Sequence, residues 1–318
     1  MQTLSNIFLI LLSFFFVSCD DIFEEDIEDD TLTVIAPLEG TVIESNVTNF
    51  RWEELEGATK YRIEIYDHTD DKIVDTLVQN KLNLVYPLNQ GQYKWKARAE
   101  NAAYESKYSV LNSFTVVESL DLTNQQVLLV SPSESYYTNE LTLNCIWRDL
   151  PAAENYDFEL LNITNGQTVI QQAGYTSTTF PLSNTNISSE AKYIWKVKAK
   201  NTTSETLFSS RTFFIDRTLP VIANLISPNN NSIHFRDENI TFNWSSSTDT
   251  GTIQSPISYI FEVSNSTSFS NLVYTTTITT NSFQKSFANS GDYYWRVKAI
   301  DSARNTSGFS LPFKFTIN

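Results

Sequence analysis

Tyr93-Lys94-Trp95-Lys96-Ala97-Arg98-Ala99, Tyr193-Ile194-Trp195-Lys196-Val197-Lys198-Ala199 and Tyr293-Tyr294-Trp295-Arg296-Val297-Lys298-Ala299 are one phrase written three times, at steps of 100 residues. In each copy aromatic or aliphatic residues take every second position, and cations fill most places between. A period of two marks a β-strand with one buried and one wet face. The surroundings repeat as well. An earlier tryptophan occurs at Trp52, Trp147 and Trp244, and a proline at Pro37, Pro132 and Pro228, again nearly 100 residues apart. The earlier tryptophan ends its own alternation: Phe50-x-Trp52, Leu143-x-Cys145-x-Trp147, Phe242-x-Trp244. A Tyr-x-apolar-x-apolar run follows at Tyr61, Tyr156 and Tyr259. The copies close on Phe114-Thr115-Val116, Phe213-Phe214-Ile215 and Phe315-Thr316-Ile317.

A repeat of this length is one domain, so the 318 residues hold three. Short alternating strands at regular spacing, divided by Asn, Ser, Gly and Pro clusters, predict an all-β chain of three tandem antiparallel β-sandwiches. With these motifs in register, residues 33–318 resemble the fibronectin type III family of the immunoglobulin-like superfold. The expected domains are 33–117, 124–216 and 219–318. Their connectors, 117–126 and 216–224, are short enough to predict a semi-rigid rod. The resemblance implies that Tyr93, Tyr193 and Tyr293 are tyrosine-corner residues bonding to upstream backbone. It also implies that Trp95, Trp195 and Trp295 stand where antibody domains carry a core cysteine, an aromatic contact replacing the disulfide.

Residues 1–18 read as a signal peptide. Residues 1–19 carry no charge, and the apolar run 7–17 is too short to span a bilayer. Phe16-Val17-Ser18-Cys19 resembles a bacterial lipobox, which implies acylation of Cys19 and a membrane anchor made of acyl chains. Asp20, Asp21, Glu24, Glu25, Asp26, Glu28, Asp29 and Asp30 follow without a cation. Residues 19–32 are therefore expected to form an extended, self-repelling tether. Such acidic runs also resemble the surface-export signals of some Gram-negative lipoproteins. The expected location is the bacterial outer membrane, lipid-anchored and exposed at the cell surface.

The composition excludes several chemistries. A net charge of −15 argues against nucleic acid as partner. Two His and two Cys leave no zinc site and no disulfide framework. No Walker A loop, Gly-x-Gly-x-x-Gly, His-Glu-x-x-His or Gly-x-Ser-x-Gly occurs. No catalytic residue and no cofactor is expected, and His68 and His234 read as surface residues. Cys145 takes the place of Phe50 and Phe242 and reads as a small buried hydrophobe. Asp67, Asp70, Asp71 and Asp75 crowd one turn, and Asp216 is placed to approach Asp249 or Asp301. Their spacing matches no defined calcium loop, so they read as solvated turn acids and no metal site is assigned. The aromatics off the core pattern are Tyr66, Tyr136, Tyr137, Tyr175, Tyr274 and Tyr294. Of these Tyr136, Tyr137 and Tyr294 are the candidate ligand-binding residues, as stacking platforms for sugar. Opposite the core, acidic residues of the Tyr61-type strands are expected to face the cations of the Trp95-type strands. The function expected is non-catalytic: a rod that binds or spaces a protein partner at the cell envelope. The alternative is a carbohydrate-binding lipoprotein of a polysaccharide-uptake system.

Overall fold

The computed structural model describes residues 24–318. Cys19 and the expected signal peptide, residues 1–18, lie outside the described residues. The first sandwich has strands β1 (Val34–Ala36), β2 (Thr41–Ile43), β3 (Val47–Trp52), β4 (Lys60–Tyr66), β5 (Lys72–Gln79), β6 (Asn83–Pro87), β7 (Gly91–Glu100) and β8 (Asn112–Val116). The second has β9 (Leu129–Ser131), β10 (Tyr136–Thr138), β11 (Leu143–Trp147), β12 (Asn155–Asn162), β13 (Gln167–Tyr175), β14 (Thr179–Leu182), β15 (Ala191–Lys200) and β16 (Ser209–Ile215). The third has β17 (Leu225–Ser227), β18 (Ser232–His234), β19 (Ile240–Trp244), β20 (Ile257–Ser264), β21 (Leu272–Ile278), β22 (Ser282–Lys285), β23 (Gly291–Asp301) and β24 (Phe313–Ile317).

Each sandwich pairs a three-stranded with a five-stranded sheet, and the order is the same in all three. In the first it is β1-β3-β6 against β2-β8-β7-β4-β5. Pro37, Pro132 and Pro228 follow the first strand of each copy. A proline has no N–H for the ladder, and beyond it the chain crosses to the other sheet. There β2, β10 and β18 run parallel to the last strand of their sandwich. The described chain forms two compact units, one ending at Glu118 and the other starting at Ser119. The second unit contains two sandwiches.

The register explains the repeated phrase. Across β4 and β7, Tyr61 faces Ala99, Ile63 faces Ala97 and Ile65 faces Trp95. The second sandwich sets Tyr156, Phe158 and Leu160 against Ala199, Val197 and Trp195. The third sets Tyr259, Phe261 and Val263 against Ala299, Val297 and Trp295. Alanine thus opposes each tyrosine of the first strand, valine opposes Phe158 and Phe261, and a branched aliphatic opposes each late tryptophan. Complementary volumes of this kind are what a close-packed interior requires. All six tryptophans are buried. The tyrosine heading each phrase donates its hydroxyl proton to the carbonyl four residues back: Tyr93 to Asn89 (3.0 Å), Tyr193 to Ser189 (3.1 Å) and Tyr293 to Asn289 (3.0 Å). These are the tyrosine-corner bonds that the resemblance implies.

Cys145 is fully buried and pairs across the sheet with Phe180. Phe180 lies flat on Phe158, with ring centroids 4.1 Å apart. Burial pushes the Cys145 thiol pKa up, which keeps it protonated and unreactive.

The acidic stretch departs from expectation. Ile27 and Leu32 are buried in the first core, so the chain is not an extended tether from Ile27 onward. Removing two large aliphatic side chains from water is worth roughly 3–6 kcal/mol, more than the neighbouring carboxylates cost by repulsion in solvent. The charges turn outward, and Asp29 pairs with Lys107 at 2.8 Å. Glu25 crosses directly over Gly57, where an added Cβ would come within 2.7 Å of the Glu25 Cβ. The second sandwich buries Leu122 and Val127 in the same manner.

Candidate functional site

The outward face of each five-stranded sheet carries the charge ladder. In the first sandwich Glu64 faces Lys96 across β4 and β7. Its carboxylate lies 3.2 Å from Lys96 Nζ and 2.8 Å from Lys72 Nζ. It also accepts hydrogen bonds from the Tyr66 and Tyr108 hydroxyls. Burial alone pushes the Glu64 pKa up, but the bonds from Lys72, Tyr66, Lys96 and Tyr108 outweigh it and hold it at about 2. Arg62 faces Arg98, a like-charged pair that the expected acid-to-base pairing did not include. Glu100 relieves it, accepting from Arg62 Nε at 2.7 Å and from Arg98 Nη2 at 2.8 Å. In the second sandwich Lys196 meets Glu159 and Lys198 meets Asp157. In the third, Arg296 pairs with Glu262 at 2.7 Å and lies between the rings of Phe269 and Phe309. Most of the cations are spent within the face, Lys298 lies over the Phe309 ring, and no free basic stripe results among the described residues.

The candidate tyrosines do not assemble into one platform. Tyr136 and Tyr137 are neighbours in β10, and successive strand residues point to opposite faces. Tyr137 stacks on Phe214 at 4.5 Å, whereas Tyr136, 37% exposed, pairs in register with the inward-facing Phe213. Tyr294 lies in another sandwich, beside Lys314 on β24. Tyr175 and Tyr274 pack against their cores, and Tyr66 is held by Glu64. His68 is exposed, and His234 sits 3.1 Å from Glu238. An open recess of about 330 Å³ in the first sandwich is lined by Gly40, Asp67, His68, Gln92, Tyr93 and Lys94, among others. The acids of the nearby turn are already partnered: Asp67 accepts from Thr69 and Asp71, Asp70 binds Lys94, and Asp75 binds Arg62 and Lys72.

The junction of the second and third sandwiches is densely hydrogen-bonded. The Arg217 guanidinium donates to the carbonyls of Asn139, Glu140, Ile187 and Ser188. Glu190 accepts from Arg217 N and Thr218 Oγ1, and from Thr252 N of the loop between β19 and β20. Gly251 lies so close that an added Cβ would be 2.7 Å from Thr218 Oγ1 and 2.8 Å from Glu190 Oε2. Asn139 donates to Asn305 Oδ1, and Asn305 Nδ2 donates to Asp216 O and Asp301 Oδ2.

Three acids expected in solvent are buried here. Asp216, Asp249 and Asp301 are 0%, 7% and 5% exposed. One oxygen from each lies within 4.8 Å of the others. Burial pushes the Asp216 pKa up, Ser255 draws it down, and the charges of Asp301 and Asp249 raise it again. Asp216 approaches Asp249 and Asp301 as expected, but the three are buried rather than solvated, although they come from a connector, a loop and a strand end.

No protein-family profile matches the chain, and no curated protein does. Solved structures of tandem sandwiches are similar at low identity. The chicken CNTN1 FN1–FN3 domains are 13% identical, over 91% of this chain and 97% of that one, with a TM-score of 0.37. Fibronectin(III)-like modules of Clostridium thermocellum CbhA are 15% identical, over 60% and 93%, with a TM-score of 0.38. A set of titin domains is 12% identical, over 88% and 95%, with a TM-score of 0.36. By strand order and register the chain is three tandem β-sandwiches that resemble fibronectin III repeats.

Proposed function

We propose that the chain is a non-catalytic, lipid-anchored protein of a bacterial outer-membrane surface, whose tandem sandwiches space and present a protein-binding surface. The observation that carries this reading is the charge ladder on the outward face, where most cations are held by carboxylates and Lys298 by the Phe309 ring. Ion pairs occupy the surface that an anion or a sugar would need, and the exposed tyrosines share no face. Exposed aliphatic residues include several in loops. Between the last two strands, Val110, Leu207 and Leu311 each project into solvent. Aliphatic groups presented this way suit the apolar centre of a protein contact.

Photo-cross-linking on intact cells tests the partner. A photoreactive residue at position 110, 207 or 311 is expected to capture a discrete protein, and one at position 196, within the ladder, is not. Absence of any discrete product from all three loop positions refutes the reading. Glycan-array binding that Tyr136→Ala or Tyr294→Ala abolishes would replace it with carbohydrate capture. The anchor is tested separately. Labelled palmitate is expected to enter the wild-type chain but not Cys19→Ser, which should leave the membrane fraction, because stable attachment takes two or more acyl chains. Equal labelling of both chains removes the anchor from the proposal.

A further inference from the structure

The three repeats fasten the segment leading into each sandwich at one corresponding point. In the first, the Asn101 side-chain amide donates to Glu25 O at 2.8 Å and Gly57 O at 3.1 Å. It thereby joins the lead-in, the loop between β3 and β4, and the end of β7. In the second, Asn201 does the same with Leu120 O at 2.9 Å and Ala152 O at 3.1 Å. One hundred residues further on, the position is Asp301. An ionised carboxylate has no proton to donate. The other two pieces of chain each bring a carboxylate as well: Asp216 from the lead-in and Asp249 from the β19–β20 loop. That loop, residues 245–256, is longer than its counterparts at 53–59 and 148–154.

Asn305 Nδ2 takes over the bond to the lead-in, at Asp216 O, and also donates to Asp301 Oδ2, so three negative charges converge beside a single neutral amide. None of the three is ion-paired among the described residues, and the adjacent Arg217 is turned to carbonyls of the second sandwich. Asp249 spends Oδ1 on the Gly251 N–H; its Oδ2 is buried and takes no hydrogen bond. A buried carboxylate oxygen without a partner costs several kcal/mol unless a cation compensates it, by roughly the measure for buried charges. The spacing suits one ion, since two oxygens bound at about 2.4 Å are at most about 4.8 Å apart.

We propose that Asp216, Asp249 and Asp301 hold one calcium ion, which joins lead-in, loop and strand end as the asparagine amide does in the other two sandwiches. The donors are oxygen alone, which selects a hard cation over zinc or copper. The group is buried and brings several protein oxygens together, which favours calcium over magnesium, an ion that keeps most of its waters.

Equilibrium dialysis of the full-length chain in detergent, stripped with chelator and then titrated with calcium chloride, tests this. The expected result is one calcium per chain, with a dissociation constant at or below about 1 mM, the weak end for extracellular modules. Magnesium chloride at the same concentration should not displace it. Asp249→Asn and Asp301→Asn should each reduce the stoichiometry from one to none. Asp301→Asn restores the amide of the other repeats. In chelator its second unit should melt no lower than wild type, and added calcium, which raises the wild-type transition, should no longer move it. The proposal is overturned if the wild-type chain binds no calcium at about 10 mM, roughly tenfold above that limit. Equal occupancy by magnesium, or undiminished binding by Asp301→Asn, also overturns it. If Asp249→Asn does not fold, the wild-type titration and Asp301→Asn decide the matter.

Discussion

Trp95→Ala is expected to remove most of the stability of the first sandwich while leaving the second compact unit unchanged. Trp95 is fully buried, with Phe50 edge-on at 4.9 Å and Ile65 opposite on β4. Truncating a buried tryptophan typically costs about 3–5 kcal/mol, because the surrounding side chains close the cavity only in part. Trp95 carries an additional bond: its indole N–H donates to Pro37 O at 2.8 Å. The equivalent N–H groups of Trp195 and Trp295 are buried with no partner among the described residues. A buried hydrogen bond adds about 1 kcal/mol, and the Pro37 carbonyl would be left unsatisfied. Since small domains are stable by only about 5–15 kcal/mol, the loss is a large share of the total. At about 4–8 °C per kcal/mol, calorimetry should show the first unit's transition at least ~12 °C lower. A shift of only a few degrees would mean that this tryptophan is not the centre of the core. Phenylalanine sharpens the test. Trp95→Phe loses the Pro37 bond, whereas Trp195→Phe removes a donor that has no acceptor, so the first should be the more destabilising.

The core was legible because its signal is local and repeated. An alternation such as Tyr93-x-Trp95-x-Ala97-x-Ala99 assigns every residue to a face from chain geometry alone. Repetition at 100-residue steps then fixes the domain count. The same rule was available at Tyr136-Tyr137 once β10 was recognised as a strand, since adjacent positions cannot share a platform. Ile27 and Leu32 were obscured by the carboxylates around them. A charge run describes what faces solvent and says nothing of the apolar side chains set within it. For Asp216, Asp249 and Asp301 the domain order suggested an approach, but no local pattern marked them as buried, because each member lies on a different piece of chain. What did mark them was a break in the repeat. Asn101, Asn201 and Asp301 occupy one position, and only the third carries a carboxylate there, in the one sandwich whose β19–β20 loop is enlarged. Repeats reveal function where they fail to repeat, because the packing constraint is common to all copies and a site need be present in only one.

Acid should weaken the first sandwich through Glu64, and the size and pH range of the effect follow from its surroundings. The carboxyl ordinarily titrates near 4.5; in the folded chain it is held at about 2. A folded pKa below the unfolded one means that the unfolded chain binds the proton more readily. The stabilisation is therefore complete above about pH 4.5 and is lost as pH falls toward 2. A difference of this size corresponds to about 3 kcal/mol, at 1.36 kcal/mol per unit. Solvent screening discounts this only modestly, since Glu64 itself is buried although its lysine partners are partly exposed. Glu100, whose pKa burial raises and Arg62 and Arg98 lower further, shifts in the same direction and steepens the fall. In urea titrations from pH 7 to pH 2.5, the wild-type first unit should lose stability chiefly below pH 4.5. Glu64→Gln keeps the shape and removes the charge. It should be about 3 kcal/mol less stable than wild type at pH 7, and the two curves should converge near pH 2. Removing only one partner separates the contributions: Tyr108→Phe leaves both lysines in place and should narrow the gap without closing it. Parallel curves for wild type and Glu64→Gln across the whole range would show that the carboxylate contributes shape rather than charge, and that the ladder on this face is not what holds β4 to β7.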